Sequence, residues 1–370
     1  MDRRAFLGRG AMTAVGAVLV GGGLPTLLAA CAKKSSSAAT NTTAAGSPGG
    51  GNAPKDFGTL DYRMSWIFNS EFAGPYIADS KGYYKAEGFS SVNLIAGGPS
   101  ASPIENDVAT GKALVGISSP EITAPAILNG GLDLRIIGAQ YQKSAFAIMS
   151  AATKPIKLPQ DLLGKKIGVQ STNESVWSAY LKANNLDASK ITKVPVQFDP
   201  TPLTQGQVDG WFSFVTNEPV DLKFSHNFDT VTMVLADTGL PLVSEVYVVK
   251  ADTIKNQRDK LKAFLRAEVR GWADNITDPS QGGSLAATVY GKDNKLNEAE
   301  QTLESKAEND LIVSADTKAN GLFTISDALV DKNIQALNAA GITITRDKLF
   351  DLSLIQEVYK ENPELKSLGS

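Results

Sequence analysis

The chain has 370 residues, of which 42% are hydrophobic and 20% are charged, and its formal net charge is −3. A mildly acidic chain of mixed charge has no electrostatic basis for binding nucleic acid, which requires clustered Lys and Arg. With one cysteine, Cys31, and one histidine, His226, the chain cannot form a disulfide or a Cys/His metal cluster of its own.

The first residues have the pattern of an export signal. Arg3 and Arg4 begin a twin-arginine motif, and an apolar run rich in Gly and Ala continues to Leu28. Leu28-Ala29-Ala30-Cys31 then matches a bacterial lipobox. The pattern predicts a signal peptide over 1–30, cleavage before Cys31 and lipidation of the Cys31 thiol. The alternative is an uncleaved membrane anchor, which the many glycines disfavour.

Residues 31–57 are predicted to be a flexible linker. The segment from Ser35 to Asp56 consists mainly of Ser, Ala, Thr, Gly and Pro. It cannot bury enough apolar surface to order itself. As a coil its reach is on the order of 25–30 Å, which suits a tether between a lipid and a globular domain that begins near residue 58.

The first element of the domain is predicted to be a strand. Tyr62, Met64, Trp66 and Phe68 alternate with Arg63, Ser65 and Ile67, which is the period-two pattern of a strand. A polar turn and a helix follow. In an open α/β sheet, ligands bind beyond the carboxyl ends of the strands, so aromatic and polar groups after this strand are candidates for ligand contact.

Strands alternate with short helices up to about residue 250, which indicates sheets covered by helices. Beyond Asp252, apolar residues recur at helical spacing and predict a helical tail. The predicted fold class is therefore α/β with two lobes. Strands are predicted at 92–95, 113–117, 134–139, 145–151, 164–169, 192–198, 208–215, 228–235 and 243–249, and helices at 104–111, 122–129, 176–184 and 202–207.

The order of these units predicts how the chain is divided. Lobe 1 is assigned residues 58–147 and 249–370, and lobe 2 residues 148–248. The two crossings between lobes are expected near Phe146–Ala151 and Val246–Lys250, and the helical tail is expected to pack on lobe 1.

Aromatic, amide, hydroxyl and carboxyl groups cluster near the predicted strand ends. Such a set suits a flat ring with polar edges, stacked on aromatic faces and hydrogen-bonded at its rim. For Trp66 and Trp211 core packing is an equal alternative, and Ser171–Asn173 would also serve as a plain helix cap. The candidate ligand contacts are Trp66, Asn69, Glu71, Phe72, Tyr76, Ser118, Glu121, Tyr141, Ser171, Asn173, Trp211, Asn217, Glu218 and Glu245.

Catalytic groups are scarce in this sequence. Hydrolytic or redox chemistry needs an activated nucleophile, an acid/base pair or a metal. His226 follows a predicted helix in a polar segment and suits a surface or capping position. The sequence predicts no enzyme activity, no metal site and no cofactor.

Three segments together resemble a known family: Trp66 to Phe89, Leu162 to Val169, and Gly206 to Pro219. They are similar to the substrate-binding lipoproteins of ABC importers that bind thiamine pyrimidine precursors, riboflavin, alkyl sulfonates or nitrate. The resemblance covers most of 58–260. It implies the two-lobed periplasmic binding protein fold (type II) with two crossovers, in which the solute lies between lobes that close on it. It also implies a permease and an ATPase as partners.

One branch of this group, the fungal-type thiamine pyrimidine synthases, uses its own histidine, pyridoxal phosphate and a cysteine-rich motif. The chain departs from that branch, since His226 lies in a different context, the sequence has no cysteine-rich motif, and it carries an export signal. Synthase activity is therefore disfavoured.

The carboxylates Glu71, Glu121, Glu218 and Glu245 near strand ends repel anions and suit N–H donors, and Arg63 is placed mid-strand. The chain is thus expected to bind a small aromatic heterocycle, either a thiamine pyrimidine precursor or a riboflavin-like compound. It is expected to be a monomer anchored by lipid on the extracytoplasmic face of the cell membrane. The alternatives are an alkyl-sulfonate or nitrate binding protein and a non-transport receptor or scaffold.

Overall fold

The structure, a computed structural model, describes residues 55–98 and 100–367. The predicted signal, Cys31 and all but the last three residues of the predicted linker lie outside the described residues. In the part of the chain that is described, no helix combines the length and apolarity needed to cross a bilayer.

Ten strands are found in the described ranges, and they form two five-stranded sheets. The strands are β1 (Thr59–Arg63), β2 (Ser91–Ile95), β3 (Val115–Ser118), β4 (Leu134–Tyr141), β5 (Phe146–Ala151), β6 (Lys166–Gln170), β7 (Thr192–Val196), β8 (Gly210–Phe214), β9 (Thr230–Val234) and β10 (Ser244–Lys250).

The first sheet has the strand order β2-β1-β3-β10-β4, and the second has the order β7-β6-β8-β5-β9. In each sheet four strands run in the same direction. The fifth, which directly follows a crossing from the other sheet, is inserted antiparallel to them: β10 in the first sheet and β5 in the second. The carboxyl ends of the parallel strands therefore lie beside the amino ends of β5 and β10.

Helices cover the sheets and make up most of the chain after β10. The α-helices are α1 (Ala73–Ser80), α2 (Tyr83–Ala86), α3 (Ile104–Ala109), α4 (Pro120–Leu128), α5 (Glu174–Ala183), α6 (Thr201–Thr204), α7 (Glu218–His226), α8 (Ala251–Asn256), α9 (Arg258–Thr277), α10 (Pro279–Leu285), α11 (Glu298–Ile312), α12 (Ala315–Asn320), α13 (Asp327–Ala339), α14 (Arg346–Leu349) and α15 (Ser353–Glu361). Short 3-10 helices lie at Ser70–Phe72, Pro159–Leu162, Ser171–Asn173, Ala188–Lys190, Leu235–Asp237, Lys292–Asn294 and Pro363–Ser367, and a π-helical turn at Ala286–Tyr290.

The chain crosses between the sheets twice, at 142–145 and at 235–243. The crossings lie side by side, since the Ser144 N–H donates to the Leu242 carbonyl at 2.8 Å. Lys143 in the first crossing also pairs with Asp237 in the second at 2.7 Å. The crossings expected near Phe146–Ala151 and Val246–Lys250 are therefore misplaced by a few residues, because those segments are β5 and β10 within the sheets.

The first strand is shorter than its alternating pattern predicts. β1 ends at Arg63, so Met64 to Phe68 is not a strand and Arg63 is not mid-strand. The chain turns here because the Arg63 guanidinium gathers the carbonyls of Ile95, Ala96 and Ser102 around itself. The alternating residues after Arg63 do not share one buried face: Met64 is buried in the core, whereas Trp66 is half-buried.

The helical tail packs on the first sheet and its helices, as expected. Helix α9 lies so close to α1 that a Cβ at Gly271 would be 2.2 Å from the Gly74 carbonyl oxygen. A Cβ at Gly74 would in turn be 2.3 Å from the Trp272 ring. Beneath this contact, the buried Glu268 accepts hydrogen bonds from Tyr62, Tyr84 and Tyr247. The tail is therefore part of the core of this half of the molecule.

Candidate functional site

A cavity of about 380 Å³ lies between the two sheets, at the carboxyl ends of β1, β3, β6 and β8 and the amino ends of β5 and β10. Both halves of the chain contribute side chains to it. Its lining residues are Arg63, Ser65, Trp66, Glu71, Gly98, Ala101, Ser102, Pro103, Ile104, Glu105, Ser118, Ser119, Ile122, Phe146, Ser171, Thr172, Asn173, Ser175, Ser213, Phe214, Asn217, Glu218 and Glu245.

The structure brings eight of the fourteen candidate residues together at this cavity. They come from the segment after β1, from the ends of β3, β6 and β8, and from the start of β10, which the strand-end argument anticipates. They are Trp66, Glu71, Ser118, Ser171, Asn173, Asn217, Glu218 and Glu245.

Three other candidates belong to the first turn and helix after β1 and do not line the cavity. Asn69 is buried and uses its side-chain oxygen to cap the short helix that follows, accepting from the Glu71 N–H at 3.2 Å. Phe72 and Tyr76 are fully buried in the core, and Tyr76 stacks on Tyr290 with ring centroids 4.3 Å apart. Helical periodicity turns these two side chains away from the cavity.

The last three, Glu121, Tyr141 and Trp211, are fully buried and do not line the cavity either. Trp211 packs in the small cluster of the second sheet with Met149, and the bare face of Gly168 makes room for its ring. For Trp211, core packing is thus the alternative that the structure supports.

Several lining residues were not among the candidates. Phe146 and Phe214 face each other edge to face, with ring centroids 4.7 Å apart, and with Trp66 they give the cavity its aromatic surface. Phe146 is the first residue of β5. Its place at the cavity could have been predicted only by recognising β5 as the antiparallel strand of its sheet, because the amino end of such a strand lies beside the carboxyl ends of the others. Ser65 follows β1 directly, and a correct end for that strand would have marked it.

Two carboxyl groups meet at the hydroxyl of Ser65. Its Oγ lies 2.7 Å from Oε1 of Glu71 and 2.9 Å from Oε2 of Glu245. Both carboxyl groups are buried, and burial raises the pKa of Glu71 and of Glu245 above the usual range of a carboxyl. Glu245 also has a backbone φ of +47°, a left-handed conformation that costs free energy for a residue other than glycine.

Glu218 supplies a third buried carboxyl group to the cavity. It lies in the first turn of α7, and its Oε2 accepts the Phe214 N–H at 2.8 Å. Burial raises the pKa of Glu218 to about 8, and the nearby Glu71 adds to the increase. The loop that Glu218 closes is the one that presents Phe214 and Asn217 to the cavity.

Helix α11 places two further carboxyl groups behind these three. Glu304 accepts from Asn217 at 2.9 Å, and the Ser70 hydroxyl lies 3.3 Å from both Glu304 and Glu308. Burial is again the first cause that raises the pKa of both carboxyl groups. The bond from Asn217 joins the loop after β8 of the second sheet to the helical tail, which packs on the first.

Arg63 is the one cation among the described lining residues, and its donors are already in use. Its Nε donates to Asp107 at 2.9 Å, and its two terminal nitrogens donate to the carbonyls of Met64, Ile95, Ala96 and Ser102. With this side chain 2% exposed, Arg63 organises the wall of the cavity rather than presenting a free guanidinium.

Another part of the lining is rich in hydroxyl groups. Ser118 and Ser119 precede the amino end of α4, and Ser171, Thr172 and Ser175 lie at the amino end of α5. Helix amino ends carry free N–H groups and a partial positive charge, which favours acceptor atoms of a ligand. The cavity thus combines a carboxyl-rich part with a part suited to acceptors.

The site offers no constellation for catalysis that we can assemble from the described residues. His226 is exposed at the last position of α7 and does not line the cavity. Across the described ranges, no three His, Cys, Asp or Glu side chains are placed to hold a metal ion.

Comparison with known proteins decides the family. Residues 69–282, more than half of the chain, match the family described as NMT1/THI5 like. The chain belongs to this family. The matched span runs from the turn after β1 to helix α10 and contains every lining residue of the cavity except Arg63, Ser65 and Trp66.

A curated relative and two solved structures show what this family member resembles. Riboflavin-binding protein RibY of Chloroflexus aurantiacus is 28% identical over 245 residues, which cover 64% of this chain and 67% of RibY. The alkanesulfonate-binding protein SsuA of Xanthomonas axonopodis pv. citri is 14% identical with a TM-score of 0.56, covering 79% of this chain and 96% of SsuA. The desulfurization enzyme DSZB is 13% identical with a TM-score of 0.52, covering 83% and 99%.

At these identities the solved structures establish the fold. The NMT1/THI5 like chain has the two-lobed periplasmic binding protein fold, with two crossovers and a helical carboxyl-terminal tail on the first sheet. The exact lobe boundaries at 147/148 and 248/249 stay predictions. Because binding proteins and an enzyme share this fold, function has to be inferred from the cavity.

Proposed function

We propose that this protein is the extracytoplasmic solute-binding component of an ABC importer and captures a small aromatic heterocycle between its two lobes. The observation that carries the proposal is a cavity with Trp66, Phe146 and Phe214 on its walls and the carboxyl groups of Glu71, Glu218 and Glu245 beside them. Aromatic faces stack on flat rings, and the carboxyl groups accept ring N–H and amino donors.

The position of the cavity supports a role in delivery to a permease. Its residues come from both sheets, and the sheets are joined by two neighbouring crossings. A solute that contacts both halves stabilises their closed arrangement, which gives a permease a ligand-dependent surface to recognise. The match to RibY, which is a riboflavin-binding protein, supports a heterocyclic solute.

The ligand class is tested by thermal unfolding of the purified protein with a panel of compounds. The panel contains riboflavin, the thiamine pyrimidine precursor, an alkyl sulfonate and nitrate. A ligand present at about 100 times its dissociation constant adds about 2.7 kcal/mol to the free energy of unfolding, which is readily measured. Mass spectrometry of small molecules that copurify with the protein gives an independent identification. We expect stabilisation by a heterocycle.

The hydroxyl-rich part of the cavity favours a second candidate, an alkyl-sulfonate or nitrate binding protein. Ser118, Ser119 and Ser171, at the amino ends of α4 and α5, resemble an anion site. Against it stand three buried carboxyl groups and an Arg63 whose donors are engaged. Stabilisation by the sulfonate or nitrate alone would replace the heterocycle proposal with this one.

Two further outcomes would change the class of function. If no small molecule stabilises the protein and a partner protein is captured instead, a receptor or scaffold role would replace solute binding. If the purified protein turns over a pyridoxal or pyrimidine compound, the synthase-like alternative would replace it; we expect no turnover, since His226 lies outside the cavity.

Anchoring by lipid on Cys31 is part of the proposal and has its own test. Cys31→Ser removes the thiol that would carry the lipid. We expect the variant to leave the membrane fraction or to accumulate unprocessed, because the lipid no longer has a thiol to which it can be attached. Fractionation and intact mass measure the two outcomes. Unchanged anchoring of a processed variant would contradict lipidation at this residue.

A further inference from the structure

We propose that Glu71, Ser65 and Glu245 form a recognition element for a cationic nitrogen on the bound solute. The inference rests on the proposed function, because it names the chemistry of the solute atom that reaches this part of the cavity. It adds a charge requirement that an aromatic-heterocycle site by itself does not have.

The hydroxyl group of Ser65 limits how the two carboxyl groups can be protonated. A serine hydroxyl has a single hydrogen, so it donates to only one acceptor at a time. Yet Oγ lies within hydrogen-bond distance of a carboxyl oxygen on each side, at 2.7 Å and 2.9 Å. The second contact is a hydrogen bond only if the other carboxyl group is protonated and donates to Oγ. The pair therefore holds at least one proton. Because burial raises the pKa of Glu71 to about 7 and also raises that of Glu245, the two glutamates share one proton and carry one negative charge at pH 8.

The groups around Glu71 and Glu245 do not balance this negative charge. Glu308 faces the element from α11 and Glu218 faces it from α7, and Glu304 lies next to Glu308 and Glu218. The other titratable groups nearby are the phenols of Tyr62, Tyr76 and Tyr141. Among the described residues no Lys, Arg or His forms an ion pair with any of these five carboxyl groups.

Tyr141 is a further buried polar group near these carboxyl groups, and it does not line the cavity. The side chain of Tyr141 is fully buried, and its Oη has no hydrogen-bond partner among the described residues. Burial raises its pKa, and so do the carboxylates of Glu308, Glu71, Glu245 and Glu304, which shows that the phenol lies among them. The phenol is uncharged and makes no hydrogen bond to these carboxyl groups, so it does not offset their charge.

The shape of the site indicates which kind of cation it suits. Glu71 and Glu245 line the cavity, whereas Glu304 and Glu308 lie behind them, so the charge is offered toward the solute. The described residues provide no three-ligand set for a metal ion. Two carboxyl groups flanking one hydroxyl suit a planar nitrogen group with several N–H donors, and the aromatic rings suit its flat frame. An amidine or a protonated aminopyrimidine has this form.

Three probes of equal shape and different charge test the proposal: benzamidine, benzamide and benzoate. Each is titrated by calorimetry into the purified protein at pH 8. We expect benzamidine to bind about tenfold more tightly than benzamide, because its hydrogen bonds to the element are charge-assisted, and benzoate to bind more weakly than either. Equal affinity for benzamidine and benzamide, or no binding of benzamidine, would overturn the proposal.

Variants locate the selectivity. Glu71→Gln and Glu245→Gln keep the side-chain shape and remove the charge, so each should bring the ratio of the two dissociation constants to within about threefold. Glu121→Gln is the matched control, since it neutralises an equally buried carboxyl group that does not line the cavity. It should keep the wild-type ratio. Unchanged selectivity in both cavity variants would place the cation elsewhere and refute the proposal.

The pH dependence supplies a measurement that needs no variant. Because the pKa of both glutamates is raised, a second proton binds the pair as the pH falls below neutrality. Benzamidine affinity should therefore decrease from pH 8 to pH 6, while benzamide affinity should stay level.

The two proposals fail separately. If riboflavin or the pyrimidine precursor binds while benzamidine and benzamide bind equally, the charge requirement is wrong and the heterocycle proposal stands. If benzamidine is preferred while no heterocycle of the panel binds, the charge requirement stands and the proposed solute class is wrong.

Discussion

At the scale of single residues, the same amino-acid type serves opposite purposes in this protein. Trp66 is half-buried on the cavity wall, whereas Trp211 is fully buried in the core of the second sheet. The sequence places both in predicted strands and leaves ligand contact and core packing as equal alternatives for each. The difference arises because β1 ends at Arg63, three residues before Trp66, whereas Trp211 lies inside β8.

These two tryptophans give a matched test of the site. Trp66→Ala should weaken binding of the best ligand of the panel by about tenfold through loss of stacking, with little change in melting temperature. Trp211→Ala should destabilise the protein by about 3–5 kcal/mol, because it leaves a large core cavity. Calorimetry and thermal unfolding of both variants measure the two effects. A large loss of stability with unchanged affinity for Trp66→Ala would show that this ring belongs to the core.

Strand ends could be predicted from the sequence better than side-chain directions. Ser118 ends β3, Ser171 and Glu218 follow β6 and β8, and all three reach the cavity. Phe72 and Tyr76 follow the same logic but turn inward, because a helix sends successive side chains to different faces. Period and spacing fix which residues share a face, and only the packed structure decides which face meets the cavity.

At the scale of elements, the contact between α1 and α9 holds the tail on the first sheet. Gly74 and Gly271 allow the two helix backbones to approach closely, and Trp272 lies against the bare face of Gly74. The sequence predicts the helical period of α9, including Leu261, Phe264 and Val269. Its partner α1 is about 180 residues earlier, and no local pattern specifies that pairing.

Gly271→Ala tests this contact. In an isolated helix the change favours helix formation by about 1 kcal/mol. Here the added Cβ would be 2.2 Å from the Gly74 carbonyl oxygen, and a backbone atom cannot move aside without shifting α1. We expect the steric cost to win and to lower stability by about 2 kcal/mol or more, as measured by thermal unfolding followed by circular dichroism. An unchanged or higher melting temperature would contradict so close an approach.

At the scale of the whole molecule, buried acids outnumber the cations available to them near the cavity. Burial raises the pKa of Glu121 to about 7, of Glu218 to about 8 and of Glu268 to about 7, from 4.5. Glu268 is satisfied by three tyrosines, whereas both carboxyl oxygens of Glu121 have no partner among the described residues. Because the pKa of each of these carboxyl groups is raised in the folded protein, the free energy of unfolding of the whole molecule depends on pH.

The expected direction follows from proton counting. Between pH 4.5 and about 7 the folded state holds protons on these carboxyl groups that the unfolded state has already released. Their stabilising contribution is complete below pH 4.5 and is lost as the pH rises through 7. We therefore expect the free energy of unfolding to decrease from pH 5 to pH 8, measured by denaturant unfolding. A rise over that range would contradict the assignment of these acids as buried and protonated.

One variant isolates a single acid in this profile. The effect of Glu121→Gln on the free energy of unfolding should be more favourable at pH 8 than at pH 5 by about 1–3 kcal/mol. Each unit of pKa difference is worth about 1.4 kcal/mol. Glu298→Gln, on the exposed start of α11, is the control and should leave the profile unchanged.

The two crossings have a practical consequence. Phe146 and Glu245, which line the cavity, follow the crossings within one or two residues, so the cavity wall is continuous with the crossings. Lys143 and Asp237, paired across the crossings, have side chains 46% and 57% exposed and do not line the cavity. With Cys31 as the single native cysteine, a cysteine placed at either position could carry a fluorescent dye without entering the cavity. The protein is thereby a ready frame for an optical sensor of whatever solute it takes up.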